Sequence, residues 1–295
     1  MKRPKRRITW LVQSAALILF SLPLALLPHA IAIKAGEILG LLVFYLWKSR
    51  RSIAIENIEK SSINSSQPAA ILAKDTFKNM GRSLVEVIKI YFGLGKRLVD
   101  SVEIRGIENY RKAKAKNKGV IVITGHCGNW EMSAIVFGFK VAPIYGVARK
   151  QNNPYFHAFV ERLRATYGNR IIYKEGALKT IFSALKKRQN VGILMDQAVL
   201  KNEGYIIDFL GRPAWTTKMP ALIARRTGAA VLPAFLHREG KGHALTFYPQ
   251  VELSTNEDDE KAVIEDTKKF SSYIENYIKE HPAEWLWIHR RWKRT

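Results

Sequence analysis

GVIVITGHCGNWEM, residues 119–132, begins as a buried strand and ends as a helix, with its chemistry in between. Val120 to Thr124 is a short apolar run bounded by glycines, the pattern of a strand covered on both faces. Gly125 and Gly128 permit a tight bend, and Glu131 falls in the first turn of the next helix, where the dipole favours an acid. On one continuous helix the five-residue step from His126 to Glu131 is a rotation of about 140°, so the two side chains would diverge. They converge only if His126 sits on a loop. That arrangement suits a general base: the imidazole takes a proton from a substrate hydroxyl, while Glu131 fixes its tautomer and stabilises the imidazolium. A bare His-x4-Glu spacing is equally met by a loop histidine and an ordinary first-turn acid. The unbroken order of strand, Gly125, His126, Gly128, Asn129, Trp130 and Glu131 is narrower.

Strand and helix signals alternate on both sides of this run, as an α/β domain requires. Strands are predicted at Ser101 to Arg105, Val120 to Thr124, Ala142 to Val147, Arg170 to Tyr173, Asn190 to Met195, Tyr205 to Phe209, Ala230 to His237 and Ala244 to Val251. Helices are predicted at Ala69 to Phe92, Trp130 to Phe139, Pro154 to Tyr167, Ala177 to Arg188, Lys218 to Thr227 and Asp258 to Glu280. Asp196 ends an apolar strand, where a carboxylate is costly to bury unless paired.

The N-terminus reads differently. MKRPKRR carries five basic residues and no acid, and no charged residue occurs from Ile8 to Ile33. About 20 apolar residues suffice to cross a bilayer, although Pro23 and Pro28 would kink or break a helix. Ala30-Ile31-Ala32 also fits a signal-peptide cleavage site. The second apolar run, Ile38 to Trp47, favours an uncleaved anchor. Basic residues flank both ends, Lys2 to Arg7 and Lys48, Arg50 and Arg51, which a single crossing would split across the membrane. A break at Pro23 and Pro28 would keep both ends on the cytoplasmic face. The expected division is 1–60 as membrane anchor and helical connector, and 61–295 as an α/β domain.

A net charge of +23 over 295 residues calls for an anionic partner surface. Nothing matches a nucleic-acid motif, so a membrane and an acidic partner are favoured over nucleic acid. The single cysteine, Cys127, excludes an internal disulfide and any multi-cysteine metal site. His237, His243, His281 and His289 have no metal spacing; neither a metal nor another cofactor is expected. Trp285, Trp287 and Trp292 with Arg290, Arg291, Lys293 and Arg294 form a basic aromatic terminus. It suits a packed final helix with a solvated tail, a lip at the headgroup level, or both.

GHCGNWE resembles the His-x4-acid block of the glycerolipid acyltransferase superfamily. With Glu131 as the acid and Gly-Asn-Trp before it, it resembles the late acyltransferases of lipid A biosynthesis, the lauroyl/myristoyl transferases. Arg51 and Asn57 in RRSIAIENIEKS, Gly81 and Glu86 in NMGRSLVEVIK, Arg149 in YGVARKQNNPYF, Asp196-Gln197 in NVGILMDQ and the ending HPAEWLWIHRRWKR resemble further blocks in the same order. One departure is the brief polar stretch between Gln197 and Gly204, at the expected rim of the site.

The resemblance implies a central mixed sheet flanked by helices, and transfer of an acyl chain from acyl-carrier protein to a hydroxyl of a lipid A precursor. This would be secondary acylation in lipopolysaccharide biosynthesis, on the cytoplasmic face of the bacterial inner membrane. His126 and Glu131 would be catalytic, and Arg149, Asn129, Asp196 and Gln197 would bind substrate. Arg149 could serve the oxyanion, an acceptor phosphate or the phosphopantetheine of the donor. The same chemistry on a phospholipid or another glycolipid is the alternative, and a non-catalytic basic membrane protein the remote one.

Overall fold

The structure, a computed structural model, describes residues 4–293. Lys2, Arg3 and Arg294 of the two basic ends lie outside the described residues. Helices α1 (Pro4–Leu26), α2 (His29–Leu46), α3 (Lys48–Glu59), α4 (Ala69–Tyr91) and the short α5 (Lys96–Asp100) come first. Alternation follows: β1 (Glu103–Arg105), α6 (Ile107–Ala115), β2 (Val120–Thr124), α7 (Trp130–Lys140), β3 (Ile144–Ala148), α8 (Pro154–Arg164), β4 (Arg170–Tyr173), α9 (Ala177–Lys186) and β5 (Asn190–Leu194). The chain ends with β6 (Gly204–Phe209), β7 (Arg212–Thr217), α10 (Met219–Thr227), β8 (Ala230–Glu239), β9 (Gly242–Phe247) and α11 (Asp259–Glu280).

Seven strands form one sheet in the order β1-β9-β8-β2-β5-β3-β4. Neighbours are parallel except β8 and β9, so the sheet is mixed, as expected. Helices cover both faces, which is why β2 and β5 read as unbroken apolar runs. β6 and β7 form a separate antiparallel hairpin, turned by Leu210 and Gly211 at φ 54° and 77°. Positive φ at both positions is the two-residue turn that matches strand twist. β7 is not among the predicted strands because Pro213 argues against a central strand; in a two-strand ribbon every strand is an edge and the missing N–H is tolerated. The last sheet strand stops at Phe247 rather than at Val251, just before Tyr248-Pro249.

Two N-terminal helices, Arg7–Leu26 and His29–Leu46, are long and apolar enough to cross a membrane. Leu19, Phe20, Leu26, Ile31, Ile38 and Leu46 are among their exposed apolar side chains, which fits a membrane anchor. The chain breaks at Leu27 and Pro28, whereas Pro23 is accommodated inside α1. Lys89 of α4 donates to the carbonyls of Ala25 and Leu27 at 2.7 and 2.6 Å, so a cation caps the end of α1.

α2 and α4 pack through glycines. A Cβ at Gly40 would lie 2.1 Å from the Phe77 carbonyl oxygen, and one at Gly81 would lie 2.0 Å from that of Gly36. Backbones this close leave no room for a side chain, the small-xxx-small geometry of membrane helices. Gly40→Leu is therefore expected to pry α2 from α4, costing at least the roughly 1–3 kcal/mol of an overpacked core. Thermal unfolding in detergent tests this: a lowered Tm is expected, and an unchanged one would show that the helices part freely.

Candidate active site

β2 and β5 are parallel neighbours whose register runs from Val120 opposite Asn190 to Thr124 opposite Leu194. Both therefore end at one level, and Met195 N–H donates to the Thr124 carbonyl at 3.1 Å. His126 and Asp196 thus leave the sheet side by side at the carboxyl ends of the strands, where open α/β sheets bind ligands.

The carboxylate in contact with His126 is Asp196. His126 Nδ1–H donates to Asp196 Oδ1 at 2.9 Å, and the His126 backbone N–H donates to Oδ2 at 3.0 Å. Asp196 is buried, and its charge persists because these bonds and the Trp285 indole N–H compensate for lost water. Burial raises the Asp196 pKa, but the His126 charge and the bonds outweigh it, leaving it well below the usual carboxylate range. Burial opposes a charged His126, yet Asp196 raises its pKa further and Glu131 adds to the rise, so the net shift is upward. On the other ring nitrogen, Gln197 Nε2 lies 3.2 Å from His126 Nε2. With Nδ1 protonated toward Asp196, Nε2 is the acceptor there.

This corrects the expected His126–Glu131 pairing. Glu131 does sit in the first turn of α7, but its carboxylate is held by Arg164 of α8, whose Nε donates to Oε2 at 2.9 Å and whose Nη2 contacts Oε1. A guanidinium offers two parallel donors, a better match to a carboxylate than one imidazole N–H. Two other expected substrate contacts also change character. Asn129 is the N-cap of α7: its Oδ1 accepts from Met132 N–H at 3.2 Å, and its Nδ2 donates to Glu86 at 2.9 Å. Its amide is spent within the protein. Asp196 likewise has both oxygens engaged within the protein.

A cavity of about 920 Å³ opens over His126. Gln197, Glu131 and Arg164 line it at the strand ends, and Arg149, Lys174, Lys179, Lys218 and Arg226 add cations. Arg149 is exposed on the loop after β3 and is part of the lining. Ala198, Val199, Asn202 and Glu203 of the short segment after Gln197 also line the cavity. A second cavity of about 320 Å³, almost wholly apolar, lies between α2 and α4 and is lined by Leu39, Val43, Phe77, Met80, Leu84 and Val87. Trp130 and Glu131 line both cavities. Burial pushes the Cys127 thiol up, which keeps it protonated and poor as a nucleophile.

The C-terminal aromatics are neither a final helix nor a lipid lip. Trp285, Trp287 and Arg291 are buried to 1%, 0% and 0% exposure, in an isolated bridge and turns that follow α11. Arg291 donates to the Trp215 carbonyl and to Thr216 and stacks over Phe209, so it is not part of a solvated basic tail. Arg290 alone of that arginine pair is exposed. The sequence signal for this role was the density of tryptophan, whose indole N–H needs a partner once buried.

A mixed α/β sheet with apolar N-terminal helices, and an imidazole over a cationic and apolar cavity, has the make-up of an acyltransferase working on lipid. The bacterial lipid A biosynthesis acyltransferase family matches residues 1–294, and the chain belongs to it; it is an acyltransferase. It is 26% identical over 294 residues to the lipid A biosynthesis lauroyltransferase of Escherichia coli, covering 98% of this chain and 92% of that one. The lipid A biosynthesis palmitoleoyltransferase of the same organism is 26% identical over 271 residues, 90% and 86% of the two chains. A phosphatidylinositol mannoside acyltransferase of Mycobacterium tuberculosis is 26% identical over 234 residues, 76% and 72% of the two.

Proposed function

We propose that this protein transfers a fatty acyl chain from acyl-carrier protein to a hydroxyl of a lipid A precursor, at the cytoplasmic face of the bacterial inner membrane. Residues 1–60 would form the anchor and connector, and 61–295 the catalytic domain. The observation that carries the reading is His126, hydrogen-bonded through Nδ1 to Asp196 and lining the larger cavity. Nε2 takes the proton of the acceptor hydroxyl, displacing the Gln197 amide, as the oxygen attacks the thioester carbonyl. The tetrahedral intermediate expels the thiolate, which takes the proton back from Nε2. Arg149 and the released Gln197 amide are the donors at hand for the oxyanion. Glu131 supports the imidazolium from a second side while holding Arg164 in the cavity wall. Lys174, Lys179, Lys218 and Arg226 suit the anionic groups of the acceptor, and the apolar cavity beyond Trp130 suits an aliphatic chain.

The purified protein, given acyl-carrier thioester with either a lipid A precursor or a phosphatidylinositol mannoside, is expected to acylate the first, read by mass spectrometry. Acylation of the mannoside alone would replace the acceptor and keep the chemistry. The net charge of +23 predicts that apparent affinity for the acidic carrier falls with salt. The Debye length shrinks from roughly 30 Å at 0.01 M to about 8 Å at 0.15 M, so steering should fade over that range. An uncharged acyl thioester should respond less; equal responses would remove the carrier from the account.

A further inference from the structure

Trp285 lies 89 residues beyond Asp196 in the chain, yet its indole Nε1–H donates to Asp196 Oδ2 at 2.8 Å. The same oxygen accepts the His126 backbone N–H, which leaves Oδ1 for the imidazole. A carboxylate that accepts on both oxygens cannot rotate, and each donor withdraws part of its charge from the histidine. Trp285 is itself held in place. It forms an antiparallel bridge with Cys127, Leu286 N–H donates to the His126 carbonyl at 3.2 Å, and Gly128 N–H donates to the Glu284 carbonyl at 2.8 Å. Gly128 has φ +54° and is also packed on β8, where a Cβ would lie 1.9 Å from the Leu236 carbonyl oxygen. On the far side, Asn57 of α3 donates to the carbonyls of Trp287 and His289 at 2.8 and 2.9 Å, and Arg50 donates to that of Ile288 at 3.0 Å. The segment is therefore a strap between the helix after the anchor and the histidine loop.

We propose that Trp285 is a positioning residue for acyl transfer, whose indole N–H sets the orientation and the charge of Asp196 and, through it, the basicity of His126. This rests on the reading of His126 as general base. The tryptophan acts through the pair and does not touch substrate. The charged and titratable groups facing the pair are Glu131, Arg164 and His289 toward His126, and Cys127, His289 and Arg291 toward Asp196. None of them changes when residue 285 is replaced.

Trp285→Phe keeps an aromatic ring and deletes the donor. Asp196 then places more charge on the imidazole, and the His126 midpoint should rise by about one pH unit, tenfold in the protonation equilibrium. The acid limb of kcat should move up with it and KM should hold. Trp287→Phe is the control, because Trp287 is as buried but donates to the Pro282 carbonyl at 2.7 Å, away from the pair. Its midpoint should not move. NMR titration of His126 gives the midpoint without any assay of turnover. A shifted midpoint with an unshifted rate profile would keep the coupling of Trp285 to His126 through Asp196 but remove His126, and with it Trp285, from catalysis. An unshifted midpoint in a folded Trp285→Phe protein would overturn the proposal. Should that variant fail to fold, the Trp285 indole proton of the unaltered protein is expected to titrate with His126, and an indole proton indifferent to that titration would overturn it equally.

Discussion

His126→Ala is expected to lower turnover by about 10²–10⁴, the usual worth of general-base assistance, with the fold intact. Asp196→Asn should come close to the same loss, because an amide cannot stabilise the imidazolium and can hold the wrong tautomer. The two carboxylates near His126 are then separable. Asp196 touches Nδ1, whereas Glu131 is spent on Arg164, so Glu131→Gln is expected to cost less than Asp196→Asn. Rates of the three purified variants decide this, and the reverse order would return the orienting role to Glu131. The pH dependence has a definite sign. A general base must be neutral, and the His126 pKa is raised above its ordinary 6.5, so the acid limb of activity should lie above that pH. Asp196→Asn should move the limb down while lowering the plateau. The stability terms run oppositely: the raised His126 stabilises the fold at low pH and loses that contribution as pH rises through its folded pKa. The depressed Asp196 contributes above its ordinary 3.8 and loses its contribution as pH falls toward its folded value.

Glu86→Ala is expected to be the most destabilising single change outside the site. Glu86 is fully buried on α4, takes Arg238 on both oxygens at 2.6 and 2.9 Å, and lies 3.3 Å from His243 Nε2. Burial alone would raise its pKa, but His243 and Arg238 hold it at about 2. Its contribution to stability is therefore complete above its ordinary 4.5 and is lost as pH falls toward 2. Removing one partner of a buried pair strands the other charge, at a cost of about 3–5 kcal/mol, or a Tm lower by roughly 10 °C. Asn129 would lose its acceptor as well, loosening the cap of α7 beside His126. Thermal melts of Glu86→Ala and of Glu86→Ala with Arg238→Ala check the mechanism. The double variant should lose less than the two single losses combined, and simple additivity would deny that the pair is coupled.

Much of this protein is legible in its sequence because the controlling forces are local. The strand, bend and helix of residues 119–132, with both helix position and loop histidine, follow from hydrophobic run length, two glycines and an acid in the first helical turn. The apolar N-terminal segments declare themselves by composition, and the break at Pro28 by covalent geometry. Pro23 shows the limit, since an interior proline was absorbed by its helix. What the chain could not declare was who meets whom across the sheet. Asp196 reaches His126 from 70 residues away because β5 is placed beside β2, and adjacent strands lie about 4.8 Å apart. Glu131, five residues from the histidine, is instead claimed by Arg164 because α8 packs beside α7 and a guanidinium satisfies both of its oxygens. The C-terminal tryptophans carry the same lesson. Their amphipathic rings suit a membrane surface or a core equally well, and only the folded chain, by setting a buried carboxylate beside one indole N–H, decides between them.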